Sequence, residues 1–76
     1  MEADRPKHPY RRLADRLRGQ AEALEPNEPL PSISRLCQET GLSVKTVRKA
    51  IRVLVDEGLV YTIPGMGSYR SELPEA

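Results

Sequence analysis

Four residues, Thr40-Gly41-Leu42-Ser43, constrain this chain more than any other stretch. A glycine stops one helical period and a capping serine opens the next, with Leu42 alone between them. Upstream, Ser32 is placed as an N-cap, and Ile33, Leu36, Cys37 and Thr40 recur as one apolar stripe. Downstream, Val47, Ala50, Ile51 and Leu54 define the buried stripe of a further helix. Two helices joined so closely must turn a tight corner, which is the helix-turn-helix pattern.

The second of these helices is unusual on its other side. Leu42 to Leu54, LSVKTVRKAIRVL, carries four cationic residues and no acidic one. At about 100° per residue, Lys45, Lys49 and Arg52 project opposite the buried stripe, with Thr46 and Arg48 flanking them. An ordinary solvated helix mixes its signs, because pairs one turn apart then attract. A face of one sign calls for a polyanionic partner. The net charge of +1 hides this pattern, because the charges are segregated. Arg5 to Arg18 is basic with Asp15 as its sole acid, Ser43 to Arg52 is basic throughout, and the acids gather in Glu22 to Glu28, at Asp56 and Glu57, and at the two ends. A fold that brings the two basic blocks together has one cationic face.

The remaining segments supply such a fold. Pro9 suits a first helical turn, and Tyr10, Leu13, Ala14, Leu17, Ala21 and Leu24 follow at helical spacing for about four turns. The prolines of Glu25 to Pro31 forbid its continuation. After the third helix, which Gly58 ends, LVYTI alternates as a strand, PGMG supplies a tight turn and SYR runs back antiparallel. The expectation is a mainly α chain with a small β-hairpin. It is a winged helix-turn-helix of three helices and a two-stranded antiparallel wing, over residues 9–71. A flexible N-terminal arm, 1–8, and a C-terminal tail, 72–76, flank it.

Composition narrows the function. Seventy-six residues make one small domain with no room for a second ligand-binding unit. No apolar run is long enough to cross a membrane, and the N-terminus lacks a signal-peptide core. The single cysteine, Cys37, has no disulfide partner in the chain and sits where a small core residue is expected, so it reads as a structural thiol in the cytoplasm. His8 stands without a cysteine or histidine near it, so neither metal nor cofactor is expected. No nucleophile is accompanied by a base, so no enzyme activity is expected.

In a winged helix the cationic side of the third helix is free to enter a DNA major groove, because the buried stripe faces away from it. The stretch LPSISRLCQETGLSVKTVRKAIRVLVDEGLVYTIPGMGSYR, with YRRLADRLR before it, resembles the DNA-binding domain of GntR-type bacterial transcription regulators from about Pro9 to Arg70. Its most specific parts are LPS, TVRKAI, EGLV and GMGSY. The resemblance implies a sequence-specific regulator, a repressor, that binds double-stranded DNA at a short inverted repeat as a homodimer and works at the nucleoid. It places contacts at the start of the second helix (Ser32, Ser34, Arg35) and on the third (Ser43, Val44, Lys45, Thr46, Arg48, Lys49, Arg52). The wing tip (Gly65, Met66, Gly67) completes them. Arg11 and Arg12 are expected to meet phosphates.

Three positions depart from the family. Arginine is common where this chain has Ser34 and Val44, which changes the operator expected. Glutamate is common where it has Arg35, and a cation in that first turn opposes the helix dipole, so Arg35 is read as a phosphate contact. GntR-type regulators normally continue into a larger effector-binding domain, and this chain ends six residues after Arg70, as an isolated domain or a stand-alone regulator. Several side chains have two roles open to them. Arg16 and Arg18 pair with Asp15 or Glu22, or meet phosphates. Tyr10 is a core staple or a phosphate donor, and Val53 and Met66 are partner contacts or scattered apolar residues. The rival function is a winged helix that docks a protein. Such modules carry a neutral or acidic third helix, and Lys45, Arg48, Lys49 and Arg52 argue against it.

Overall fold

Each element begins and ends where a specific backbone group is satisfied. In the computed structural model, which describes residues 8–72, α1 spans Pro9–Glu22, α2 Ile33–Thr40, α3 Val44–Asp56, β1 Val60–Ile63 and β2 Gly67–Arg70. Ser32 and Ser43 cap α2 and α3, their side-chain oxygens accepting from the backbone N–H of Arg35 (3.0 Å) and Thr46 (3.2 Å). Gly41 closes α2 in the left-handed region, φ 77°. Thr40 secures that corner, donating to the Leu36 carbonyl (2.7 Å) while its hydroxyl accepts from the Leu42 N–H (3.1 Å). At the end of α3, Gly58 is left-handed at φ 80°. Its N–H bonds back to Val55 and that of Leu59 to Leu54, which together satisfy the last carbonyls in a Schellman arrangement.

The three helices enclose one core. Leu13, Ala14, Leu17 and Ala21 of α1 meet Leu36 of α2, Val47, Ala50, Ile51 and Leu54 of α3, Leu30 from the segment before α2, and Val60 of β1. The expected buried stripe of α3 is the one observed, and of that expected for α1 Leu13, Ala14, Leu17 and Ala21 are buried while Tyr10 is half-buried. On α2, Leu36 is buried, whereas Ile33 and Cys37 are half-exposed and pack at the core's edge. Cys37 is therefore less enclosed than expected, because eight residues of helix give it only one flank. Leu24 does not extend α1 as the spacing predicts. The helix stops at Glu22 and tightens through N–H bonds from Ala23 to Gln20 and from Leu24 to Ala21, and Leu24 packs on the core from beyond it.

β1 and β2 pair antiparallel from Val60↔Arg70 to Ile63↔Gly67, with Tyr61 and Tyr69 stacked across the strands at 5.6 Å. Pro64 and a left-handed Gly65 (φ 80°) form the turn, closed by the Met66 N–H on the Ile63 carbonyl at 2.9 Å, the type II pattern. The expected turn segment Glu25–Pro31 does more than link two helices. It lies along the outer edge of β2, with N–H bonds from Asn27 to Arg70, Arg70 to Glu28 and Leu30 to Ser68. Pro29 opposes Tyr69 between those bonds, at a position where no N–H is required, so its missing donor costs nothing.

That same edge fixes Arg70. It is 6% exposed, and its Nη1 donates to the carbonyls of Ala21 (2.9 Å) and Leu24 (2.7 Å) at the C-terminal end of α1. A cation thus sits at the negative end of a helix that has no basic residue in its own last turn.

The acidic end of α3 is tied to α1 by Arg18, which donates to both Glu57 oxygens (2.9 and 2.7 Å) and to Asp15 (2.8 Å). The hydrogen bonds it donates to Glu57 and then to Asp15 hold the Arg18 guanidinium's pKa above its usual value, and the bonds Glu57 accepts from Arg18 hold its carboxyl below the ordinary glutamate range. A depressed carboxyl contributes stability above its unfolded pKa and loses it as pH falls through the folded one. Both groups are partly exposed, so the pair is worth about 0.2–1 kcal/mol. Urea denaturation of wild type and Arg18→Gln should therefore differ by that amount at pH 7 and converge as pH falls below the ordinary glutamate range.

Candidate nucleic-acid interface

The start of α3 sets the geometry. Capped by Ser43, its first turn has no acid, and Val44, Lys45, Arg48, Lys49 and Arg52 are all exposed. Val44 is 47% exposed, so it faces outward rather than toward the core. Thr46 is half-buried, and its hydroxyl bonds to Ser43 Oγ at 3.1 Å, which engages it in the cap as well as placing it beside the open face. Lys45, Arg48 and Lys49 have no carboxylate partner among the described residues, whereas Arg52 makes a long, exposed bond to Asp56 (3.3 Å).

Two hollows flank this face. On one side, a groove between α3 and the wing is lined by Arg48, Arg52, Ser32, Gly65, Met66 and Gly67, with Ile51 and Val55 at its floor. Met66 stands 70% exposed at the tip and Ile63 38%, an apolar edge with no charged residue from Val60 to Tyr69. On the other side, Arg11 joins Lys45, Thr46 and Lys49 around Tyr10 and His8. The expected Arg11 and Arg12 pair is thereby divided: Arg12 opens instead into a shallow hollow with Leu13, Arg16, Thr40 and Leu42.

Ser34 and Arg35 are exposed on the first turn of α2. Arg35 Nε bonds to Glu39 at 3.0 Å, and the same carboxylate receives Arg16 at 3.0 Å. Arg16 and Arg18 are thus held by carboxylates: Arg18 has the expected Asp15, but Glu57 and, for Arg16, Glu39 take the place of Glu22. Partners this far apart in sequence carry no local signal.

Tyr10 takes the first of its two expected roles, at the edge of the core. The ring packs partly against the core, and its hydroxyl accepts from Arg11 Nε at 3.1 Å. His8 is the N-cap residue of α1 and stacks on that ring; residues 1–7 of the expected arm and 73–76 of the expected tail lie outside the described residues. Val53 is half-buried and faces the groove between α1 and α3. Among the described residues no His, Cys, Asp or Glu cluster could hold a metal, and no helix is long and apolar enough to cross a membrane.

The comparisons with known proteins agree with this geometry. The family model for bacterial regulatory proteins of the gntR family matches residues 9–69. Over 65 residues the chain is 43% identical to the mannosyl-D-glycerate transport/metabolism system repressor MngR of Escherichia coli K12, covering 83% of this chain and 27% of that protein. It is 37% identical over 65 residues to the HTH-type transcriptional repressor NagR of Bacillus subtilis 168, with the same coverage, 83% and 27%. The chain thus spans about a quarter of the length of these curated relatives. Among solved structures, the DNA-binding domain of AraR in complex with operator ORE1 superposes with a TM-score of 0.82 at 28% identity, over 87% of this chain and 83% of that one. A Listeria monocytogenes regulator superposes at 0.80 with 22% identity, over 92% of this chain and 63% of that one, a likeness of fold.

Proposed function

The chain belongs to the GntR family of bacterial regulatory proteins, and from that premise we infer that it is a sequence-specific, double-stranded-DNA-binding domain that acts in transcriptional repression. The observation that carries the reading is the α3 face on which Lys45, Arg48 and Lys49 stand exposed with no carboxylate partner among the described residues. An AraR domain of the same fold has been solved on its operator, and MngR and NagR are repressors. In this reading α3 lies in the major groove, with Val44, Lys45, Thr46 and Arg48 nearest the base edges. Lys49, Arg52, Arg11, Arg12 and Arg35 meet phosphates, Ser32, Ser34 and Ser43 line the approach, and the Gly65-Met66-Gly67 tip reaches toward the minor groove. Two copies of residues 9–71 occupy the halves of an inverted repeat, in the cytoplasm at the nucleoid.

Selection of bound duplexes from a random pool tests the reading, since it yields sequence preference, half-site spacing and stoichiometry together. Affinity for the selected site should fall steeply with salt, with a log–log slope of about −0.9 for each phosphate neutralised. Joint replacement Arg11→Ala with Arg12→Ala should reduce that slope by roughly 2 and weaken specific and non-specific duplexes alike. Binding that ignores salt, or a pool that yields no preferred site, overturns it.

A further inference from the structure

Where α1 meets α3, two cations lie over one aromatic ring and a third lines the same hollow. Lys49 Nζ lies 4.3 Å from the centroid of Tyr10, the Arg11 guanidinium lies 5.6 Å from it, and Lys45 lines the same hollow. His8 stacks on the ring with centroids 6.0 Å apart and planes 21° from parallel. Arg11, Lys45 and Lys49 have no carboxylate partner among the described residues, whereas Arg16, Arg18, Arg35 and Arg52 each have one. Crowding like charges costs Coulomb energy, which the ring's negative face offsets only in part. An anion in the hollow would relieve the remainder.

We propose that this hollow receives one phosphodiester of the DNA backbone and that His8, when protonated, joins its ligands, so that duplex affinity is linked to a proton. The proposal rests on the DNA-binding reading above. Lys45 and Thr46 of the hollow belong to the first turns of α3, so a strand bordering the groove that α3 enters passes this point. The titratable and charged groups facing His8 are Tyr10 and Arg11 from α1 and Lys45 and Lys49 from α3. Among the described residues no acid lines the hollow, and Asp15, one turn along α1, lines the adjoining groove and is bound to Arg18.

Histidine can change its charge across the neutral range, whereas a phosphodiester keeps its own. Binding favours the imidazolium, so affinity climbs as pH falls and levels off once the ring is charged. For an exposed charge contact the gain from pH 8 to pH 5.5 is about fivefold. Anisotropy titrations of the pool-selected duplex across that range, at fixed salt, compare wild type with His8→Asn. The His8 side chain makes no capping hydrogen bond, so asparagine removes none, and thermal melts verify the fold. The expected result is a pH-dependent wild type and a flat variant. A flat wild type, or equal pH dependence in both, overturns the proposal while leaving duplex binding intact. Absence of duplex binding at every pH overturns the functional reading itself, and this inference with it.

Discussion

Arg70→Ala should destabilise the domain by about 3 kcal/mol, the sum of a lost charge-assisted bonding pair and a void beneath the wing. The argument starts from two carbonyls. Ala21 O also accepts from the Leu24 N–H, so it keeps one partner, but Leu24 O has only Arg70 among the bonds of the described residues. Removing the guanidinium leaves that acceptor stranded beside the core and removes the cation from the end of α1. A domain of this length holds roughly 4–11 kcal/mol in total, so the loss is a large fraction, and Tm should fall on the order of 15 °C. Arg70→Lys should recover only part, because an ammonium has donors enough for both carbonyls but its side chain ends one bond short of the position Nη1 occupies. Urea denaturation followed by circular dichroism measures both variants. A loss below 0.5 kcal/mol for Arg70→Ala, within the range of ordinary surface substitutions, would show that the arginine is not what fastens the wing to α1.

Nothing in the sequence around Arg70 announces that role. It reads as the last residue of a returning strand in a chain rich in cations, and its acceptors lie 46 and 49 positions upstream. The helices are legible because their signals are local. Ser32, Ser43, Gly41 and Gly58 act on backbone groups within four residues of themselves, and apolar spacing reports the face each helix buries. The segment Asn27–Leu30 is opaque for the opposite reason. Its prolines exclude a helix but do not say that the intervening N–H groups will lie along β2.

The interface divides the same way. The cationic face of α3 is visible as spacing, because one helix carries all of it. Which cations are free and which are held is not visible, since Glu39 and Glu57 reach Arg16 and Arg18 across 23 and 39 positions. Tyr10 is the instructive intermediate. A lone aromatic in a basic block hints at a binding platform, but only the packing of α1 on α3 brings Lys49 over its ring.

Base reading is where this chain should differ most from its relatives. Val44 is the first residue of α3 and is exposed, yet it has no donor and cannot make the bidentate contact by which arginine reads guanine. Its methyl groups can meet only an apolar base edge, such as the thymine methyl. Thr46 Oγ1 accepts from Ser43 Oγ, which leaves its own proton free, so donation falls to Lys45, Thr46 and Arg48. Arg48 is the best placed, because it is unpaired, faces the groove shared with the wing and carries a planar fork of donors. Arg48→Ala should therefore cost about 1–3 kcal/mol on the best site and relax preference at one base pair, with much less effect on non-specific duplex. Val44→Arg should leave the fold unchanged, since the residue is exposed, and move preference toward guanine at the base pair facing it. The two effects belong to different positions of the site, so the preferred-sequence profiles of the variants, compared with that of wild type, separate them. If neither profile changes at any position, these side chains do not read bases, and recognition must lie in DNA shape and in the contacts of the wing.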